Sequence, residues 1–83
     1  MAARAIFVSP SDDERATLEG WVRSTTTEQR LAFRARVVLA AAAGEGSASI
    51  GRREGVRLTT VSTWRRRFVD LGIAGLQDER RSG

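Results

Sequence analysis

Neither cysteine nor histidine occurs among the 83 residues. Disulfides, thiol nucleophiles, imidazole bases and nearly all zinc sites are thereby excluded. The redox compartment stays open, because a cysteine-free chain tolerates either. Lysine is also absent, and all 14 basic side chains are arginine. A GC-rich genome produces the same bias, so the choice of arginine does not by itself indicate a partner. No apolar run approaches the length of a membrane span. Met1 to Pro10 has one arginine and too short an apolar stretch for a signal peptide. These absences lead us to expect a cytoplasmic chain with no membrane partner. No segment shows the two-residue alternation of a half-buried strand, and none repeats. The usual nucleophiles and bases are missing or unclustered, so the expectation is a non-enzyme with no cofactor, no metal and no small-molecule substrate.

What is present fits one small domain. Hydrophobic residues make up 41% of the chain, enough for a modest core without staples. Charge is unevenly placed. Residues 1–47 hold six arginines and six acids, whereas residues 48–83 hold eight arginines and four acids. The whole formal charge of +4 therefore sits in the C-terminal part. A basic half beside a neutral one suggests a polyanionic partner.

Helix signals punctuate the chain. Ser11-Asp12-Asp13-Glu14 reads as a capping box with acids at the positive end of a helix dipole, with Ser9-Pro10 as an alternative start. Leu18, Trp21, Val22 and Ala16 give this first helix an apolar face, and it should stop near Arg23–Ser24. A second helix is predicted from Glu28 to Ala43. Leu31, Ala35, Val38 and Ala42 form its stripe, with Val37, Leu39 and Ala41 widening it, while Arg30 and Arg34 lie off it. Gly44-Glu45-Gly46 ends it. A short third helix fits Ser47 to Glu54, capped by Ser47 or Ser49 and ended by Gly55. A fourth fits Thr59 to Leu71 and stops at Gly72, and Ile73 to Leu76 could add one turn. The expected organisation is an N-terminal arm over 1–10, a helical domain over 11–76 and a polar tail over 77–83. Arg80 and Arg81 read as a frayed tail or a minor-groove arm.

Ile50 to Arg67 matches a helix-turn-helix frame. Gly51 supplies the small residue where the second helix crosses the first. Gly55 supplies a turn residue tolerant of positive φ, and Ile50, Val56, Val61 and Trp64 supply the apolar contacts. At about 100° per residue, Val61, Trp64, Phe68 and Leu71 fall on one stripe of the fourth helix and should face the core. Thr59, Ser62, Thr63 and Arg66 fall opposite, with Arg65 and Arg67 at the edges. Short polar groups and one arginine toward base edges, with further arginines for phosphates, are what a recognition helix requires. Arg52 and Arg53 lie on the preceding helix, either against phosphates or as a solvated face, and Arg57 lies in the turn. The candidate DNA-contacting set is Arg52, Arg53, Arg57, Thr59, Thr60, Ser62, Thr63, Arg65, Arg66 and Arg67. Trp21 and Trp64 read as core.

The order of Glu14-Arg15-Ala16, Val22-Arg23-Ser24, Gln29-Arg30-Leu31-Ala32-Phe33-Arg34-Ala35-Arg36-Val37-Val38-Leu39-Ala40-Ala41, Gly55-Val56, Thr60-Val61-Ser62-Thr63-Trp64-Arg65-Arg66-Arg67-Phe68 and Gly72-Ile73-Ala74-Gly75-Leu76-Gln77-Asp78-Glu79 resembles the N-terminal region of bacterial insertion-sequence transposases of the mariner superfamily. The resemblance covers nearly the whole chain. It implies a homeodomain-like domain that recognises terminal inverted repeats, followed in such proteins by a second DNA-binding segment and a metal-dependent catalytic domain. The chain ends where the linker to that segment would begin, the expectation for a piece of a longer protein. Asp70, Asp78 and Glu79 do not substitute for the catalytic carboxylates. Three positions depart from the pattern. Glu54 stands for a leucine and should weaken the short helix. Arg57 stands for a serine cap and should pass capping to Thr59. Gly51 stands for an alanine and should cost about 0.5–1 kcal/mol.

The sequence thus leads to an all-α fold, a small bundle of four to five helices containing a helix-turn-helix, with double-stranded DNA as partner. Rival readings are a stand-alone transcriptional regulator and an interaction module that dimerises through the exposed edge of the Leu31–Ala43 helix. Monomer and homodimer both remain open.

Overall fold

The computed structural model describes residues 7–77. They form four α-helices and a closing 3-10 turn: α1 (Asp12–Arg23), α2 (Gln29–Ala42), α3 (Ser47–Glu54), α4 (Leu58–Leu71) and the 3-10 turn Gly72–Leu76. There is no strand among the described residues, and the fold is the expected all-α bundle. No helix is long and apolar enough to cross a membrane. Asp78, Glu79, Arg80 and Arg81, and most of the expected arm, lie outside the described residues.

Local chemistry sets most of the boundaries. Ser11 Oγ accepts the Glu14 N–H at 3.1 Å, while Glu14 Oε1 accepts the Ser11 N–H at 2.9 Å. Two of the orphan donors at the start of α1 are satisfied by this exchange. Glu28 caps α2 without a side-chain hydrogen bond. Neither serine caps α3. Gly46 stands at that place, Ser47 Oγ accepts a hydrogen bond from Arg65, and Ser49 Oγ donates to Glu45.

The α1–α2 hairpin forms one side of the bundle, and α3 and α4 pack on each other and on α2. The 3-10 turn folds back along α4 and also touches α2. Leu18, Val37, Val38, Ile50, Val61 and Leu76 are fully buried, joined by Val8, Ala35, Ala41 and Phe68. Val8 therefore packs with the core, although its position suggested an arm.

Four expectations about faces are corrected. Ala16 and Val22 on α1 are exposed, and Leu18 alone is buried there with Trp21 packed beside it. Leu71 is 60% exposed. Gly72 (φ +69) turns the chain, and Gly75 comes so close to α4 that a Cβ there would lie 2.3 Å from the Arg67 carbonyl oxygen. Leu76 is thereby carried into the core in place of Leu71. The other two are arginines. Arg34 is 9% exposed and Arg65 is 7% exposed, and both lie on the stripes that their helices bury.

Arg34 is the pivot of the interior. Its guanidinium carbon sits 4.0 Å from the centroid of the Trp64 ring, and Nη1 donates to the Leu76 carbonyl at 2.9 Å. The planar guanidinium stacks while its edge donors stay usable, a combination that lysine lacks. One side chain thus joins α2, α4 and the terminal turn.

Candidate nucleic-acid interface

The α3–turn–α4 unit is built on backbone proximity. A Cβ added at Gly51 would lie 2.9 Å from the Val56 carbonyl oxygen, and the Val56 N–H donates to the Gly51 carbonyl at 2.9 Å. The turn thus passes directly over α3. Gly55 ends α3 with φ +75, a left-handed conformation that glycine adopts without steric penalty. Ile50 and Val61, both fully buried, lock the two helices together. Gly51 is therefore no defect here: an alanine would gain helix propensity but press on the turn.

The second unusual position is resolved differently. Glu54 does not point apolar packing into solvent; it accepts from Arg36 Nε at 3.1 Å and from Arg36 Nη2 at 2.9 Å. This two-pronged pair ties the end of α3 to α2, the geometry in which arginine–carboxylate bonds are strongest. The acid thereby has a charged partner on α2 in place of the expected apolar contact. At the third position Arg57 is itself the N-cap of α4, with no side-chain hydrogen bond to the helix. Thr59 lies inside the first turn, so capping does not pass to it.

Helix α4 presents two chemically distinct sides. Outward lie Thr59, Ser62, Thr63 and Arg66, all exposed, with Asp70 at the far end. Thr63 Oγ1 donates to the Thr59 carbonyl at 2.9 Å, which fixes its rotor and leaves its oxygen as an acceptor. Thr60 is half-buried. Inward, Arg65 Nη1 donates to Ser47 Oγ at 2.9 Å. Arg67 Nε donates to the Gly75 carbonyl at 2.7 Å, and its guanidinium carbon lies 5.5 Å from the Trp64 centroid. Two members of the arginine triplet thus brace the fold, and Arg66 alone projects from it.

The remaining candidate arginines divide in the same way. Arg53 Nη1 reaches both oxygens of Glu45 at 2.5 and 2.6 Å, with its Nε 3.9 Å from Glu54. Hydrogen bonds from Arg53 first and Ser49 second hold the Glu45 carboxyl below its ordinary value of 4.5, and the Glu45 bond raises Arg53. Arg52 and Arg57 are exposed and, like Arg66, make no hydrogen bond or ion pair with the described residues. Among the candidate arginines the unpaired groups therefore stand at the end of α3, at the α4 N-cap and midway along α4; Arg15 and Arg23 on α1 are likewise exposed. Among the described residues no group of acids is placed to hold a metal ion.

Sequence reasoning missed the buried role of Arg34, although a signal existed. Arg34 lies three residues after Leu31 and four before Val38, inside the apolar spacing. Arg65 lies four after Val61 and three before Phe68 in the same manner. Residue type outweighed position in that reading.

No curated protein and no solved structure matches the chain. The model of the winged helix-turn-helix family does match, over residues 34–83. The match takes in most of α2 and all of α3, α4 and the closing turn, and among the described residues its regular structure is helical with no strand. More than half of the chain is covered, and the two tightest backbone contacts, at Gly51 and Gly75, fall inside it. The chain belongs to the winged helix-turn-helix family.

Proposed function

We propose that this chain binds double-stranded DNA sequence-specifically, with α4 in the major groove, as the DNA-binding part of a transposase that recognises the terminal inverted repeats of its element. One observation carries the DNA reading. Thr59, Ser62, Thr63 and Arg66 form a continuous exposed face on α4, the exposed Arg57 stands at its leading end, and the exposed Arg52 lies on the preceding helix. Short hydroxyl side chains accept and donate to base edges, and an arginine can bond guanine O6 and N7 together. Arg52 and Arg57 supply charge for the flanking phosphates, which position without specifying. The transposase reading rests on the ordered resemblance of the Arg34–Ala41 and Thr60–Phe68 runs to the mariner superfamily. Dimerisation through α2 has less behind it, since among the described residues the large exposed hydrophobic side chains are Phe7, Val22, Leu58, Val69 and Leu71, none of them on that helix.

Selection of bound duplexes from a random pool, followed by salt titration of the best binder, tests the proposal. A defined motif that recurs in the inverted repeats of an insertion element supports the transposase role. A motif found instead in the promoter of the chain's own gene supports a regulator. Absence of enrichment would remove α4 as a recognition helix.

A further inference from the structure

Leu58 is the first residue of α4 and is 50% exposed. It is the only large exposed hydrophobic residue in the first turn of that helix; Val69 and Leu71 lie in its last turn, and Phe7 and Val22 lie on other segments. The Leu58 nitrogen lies in the turn that crosses α3, 3.6 Å from where a Gly51 Cβ would be, so the residue sits at the junction of the two helices. One helical turn on, Ser62 occupies the neighbouring position on the same edge and is too short to cover it.

We infer that Leu58 is a specificity-determining residue that reads the 5-methyl group of a thymine in the major groove. The inference rests on the proposed docking of α4 and identifies a contact that the polar face does not supply. The leading residues of a recognition helix approach base edges most closely. Within the major groove the distinctive apolar feature is the thymine methyl; cytosine and uracil offer only a C5–H at that place, and the other groups read there are donors or acceptors. An apolar side chain held at the leading end of the helix finds its chemical complement there, and it gains nothing against phosphates. Leu58 therefore selects thymine over cytosine and uracil at one position, beside the hydrogen-bonding positions of Thr59, Ser62 and Arg66.

The test uses the full chain and the best duplex from the selection, with each thymine replaced singly by uracil, which removes only the methyl group. At one position the wild type should lose about fourfold in affinity, the worth of one methyl group taken out of water. Leu58→Ala should bind the thymine and uracil duplexes equally at that position, with an unchanged melting midpoint. Leu58→Gln, a helix former with a polar end, should behave in the same way and guards against a folding artefact in the alanine variant. Undiminished uracil sensitivity in both variants overturns the inference, as does sequence-selective binding that no uracil substitution weakens. Loss of all sequence selectivity in the wild type overturns the DNA reading itself, and the thymine contact with it.

Discussion

The inner and outer sides of α4 both carry arginine, yet the side chains have opposite surroundings. Inside, Arg65 and Arg67 donate to Ser47 and Gly75, and Arg34 reaches across from α2 to stack on Trp64. Outside, Arg66 is exposed and has no bond to the described residues. A guanidinium can act as a planar, donor-rich spacer between helices or as a charge held out to a partner. The C-terminal excess of positive charge therefore overstates the surface available to DNA. Arg53 narrows it again, because Glu45 already occupies it.

The sharpest way to break this contrast is to remove an inner arginine. Arg34→Ala should destabilise the fold by about 3 kcal/mol, since it removes the stack on Trp64 and leaves the Leu76 carbonyl without its donor. For a domain of this size the melting midpoint should fall by at least about 10 °C. A fall of only a degree or two would mean that the interior repacks without the guanidinium. Gly75→Ala should follow at about 2 kcal/mol, because its Cβ would collide with the backbone of Arg67 and flexible side chains cannot relieve that.

Arg66 against Arg65 is the direct comparison. Arg66→Ala should leave the melting midpoint nearly unchanged and weaken binding to the selected duplex by about 1–3 kcal/mol, with preference over random DNA reduced. Arg65→Ala should do the reverse, lowering the midpoint while the salt slope of binding stays constant. Equal effects of the two on both measurements would erase the distinction between the sides of α4. In the same titration Arg52→Gln should reduce the slope of log affinity on log salt by about 0.9, one phosphate contact.

The smallest expected effect is acidic. The carboxyl of Glu45 is lowered in the folded chain, so its contribution to stability is present above its ordinary value of 4.5 and is lost as pH falls through the lower folded value. Melting midpoints measured across that range should drop more for the wild type than for Glu45→Gln. Parallel curves would show that the Arg53–Glu45 pair adds nothing to folding, as many exposed pairs do.

These predictions separate what was legible in the sequence from what was not. Ser11 with Glu14, the stops at Gly55 and Gly72, and the close crossing at Gly51 could all be read, because each depends on residues within a few positions. The outward set Thr59, Ser62, Thr63 and Arg66 followed from helical period alone. Arg34 escaped because its acceptor, Leu76, lies 42 residues away. Arg65 and Glu54 escaped because each has its partner 18 residues away. A side chain's charge is a local property, whereas its satisfaction is a tertiary one. The helical stripe points Leu71 at the core because it does not register that Gly75 packs against α4 and brings Leu76 in.

The closing turn also bears on how the molecule comes apart. A 3-10 segment of five residues ordinarily opens at almost no cost and exchanges its amide hydrogens quickly. Here fraying would uncover the fully buried Leu76 and strip Arg34 and Arg67 of their acceptors together. Opening of the turn is thus coupled to separation of α2 from α4. At the opposite end α1 packs chiefly on α2, with Leu18 its one buried side chain. Hydrogen exchange should accordingly begin in α1 and reach the closing turn only with global unfolding, so the molecule loosens first at the end farther along the chain from α4.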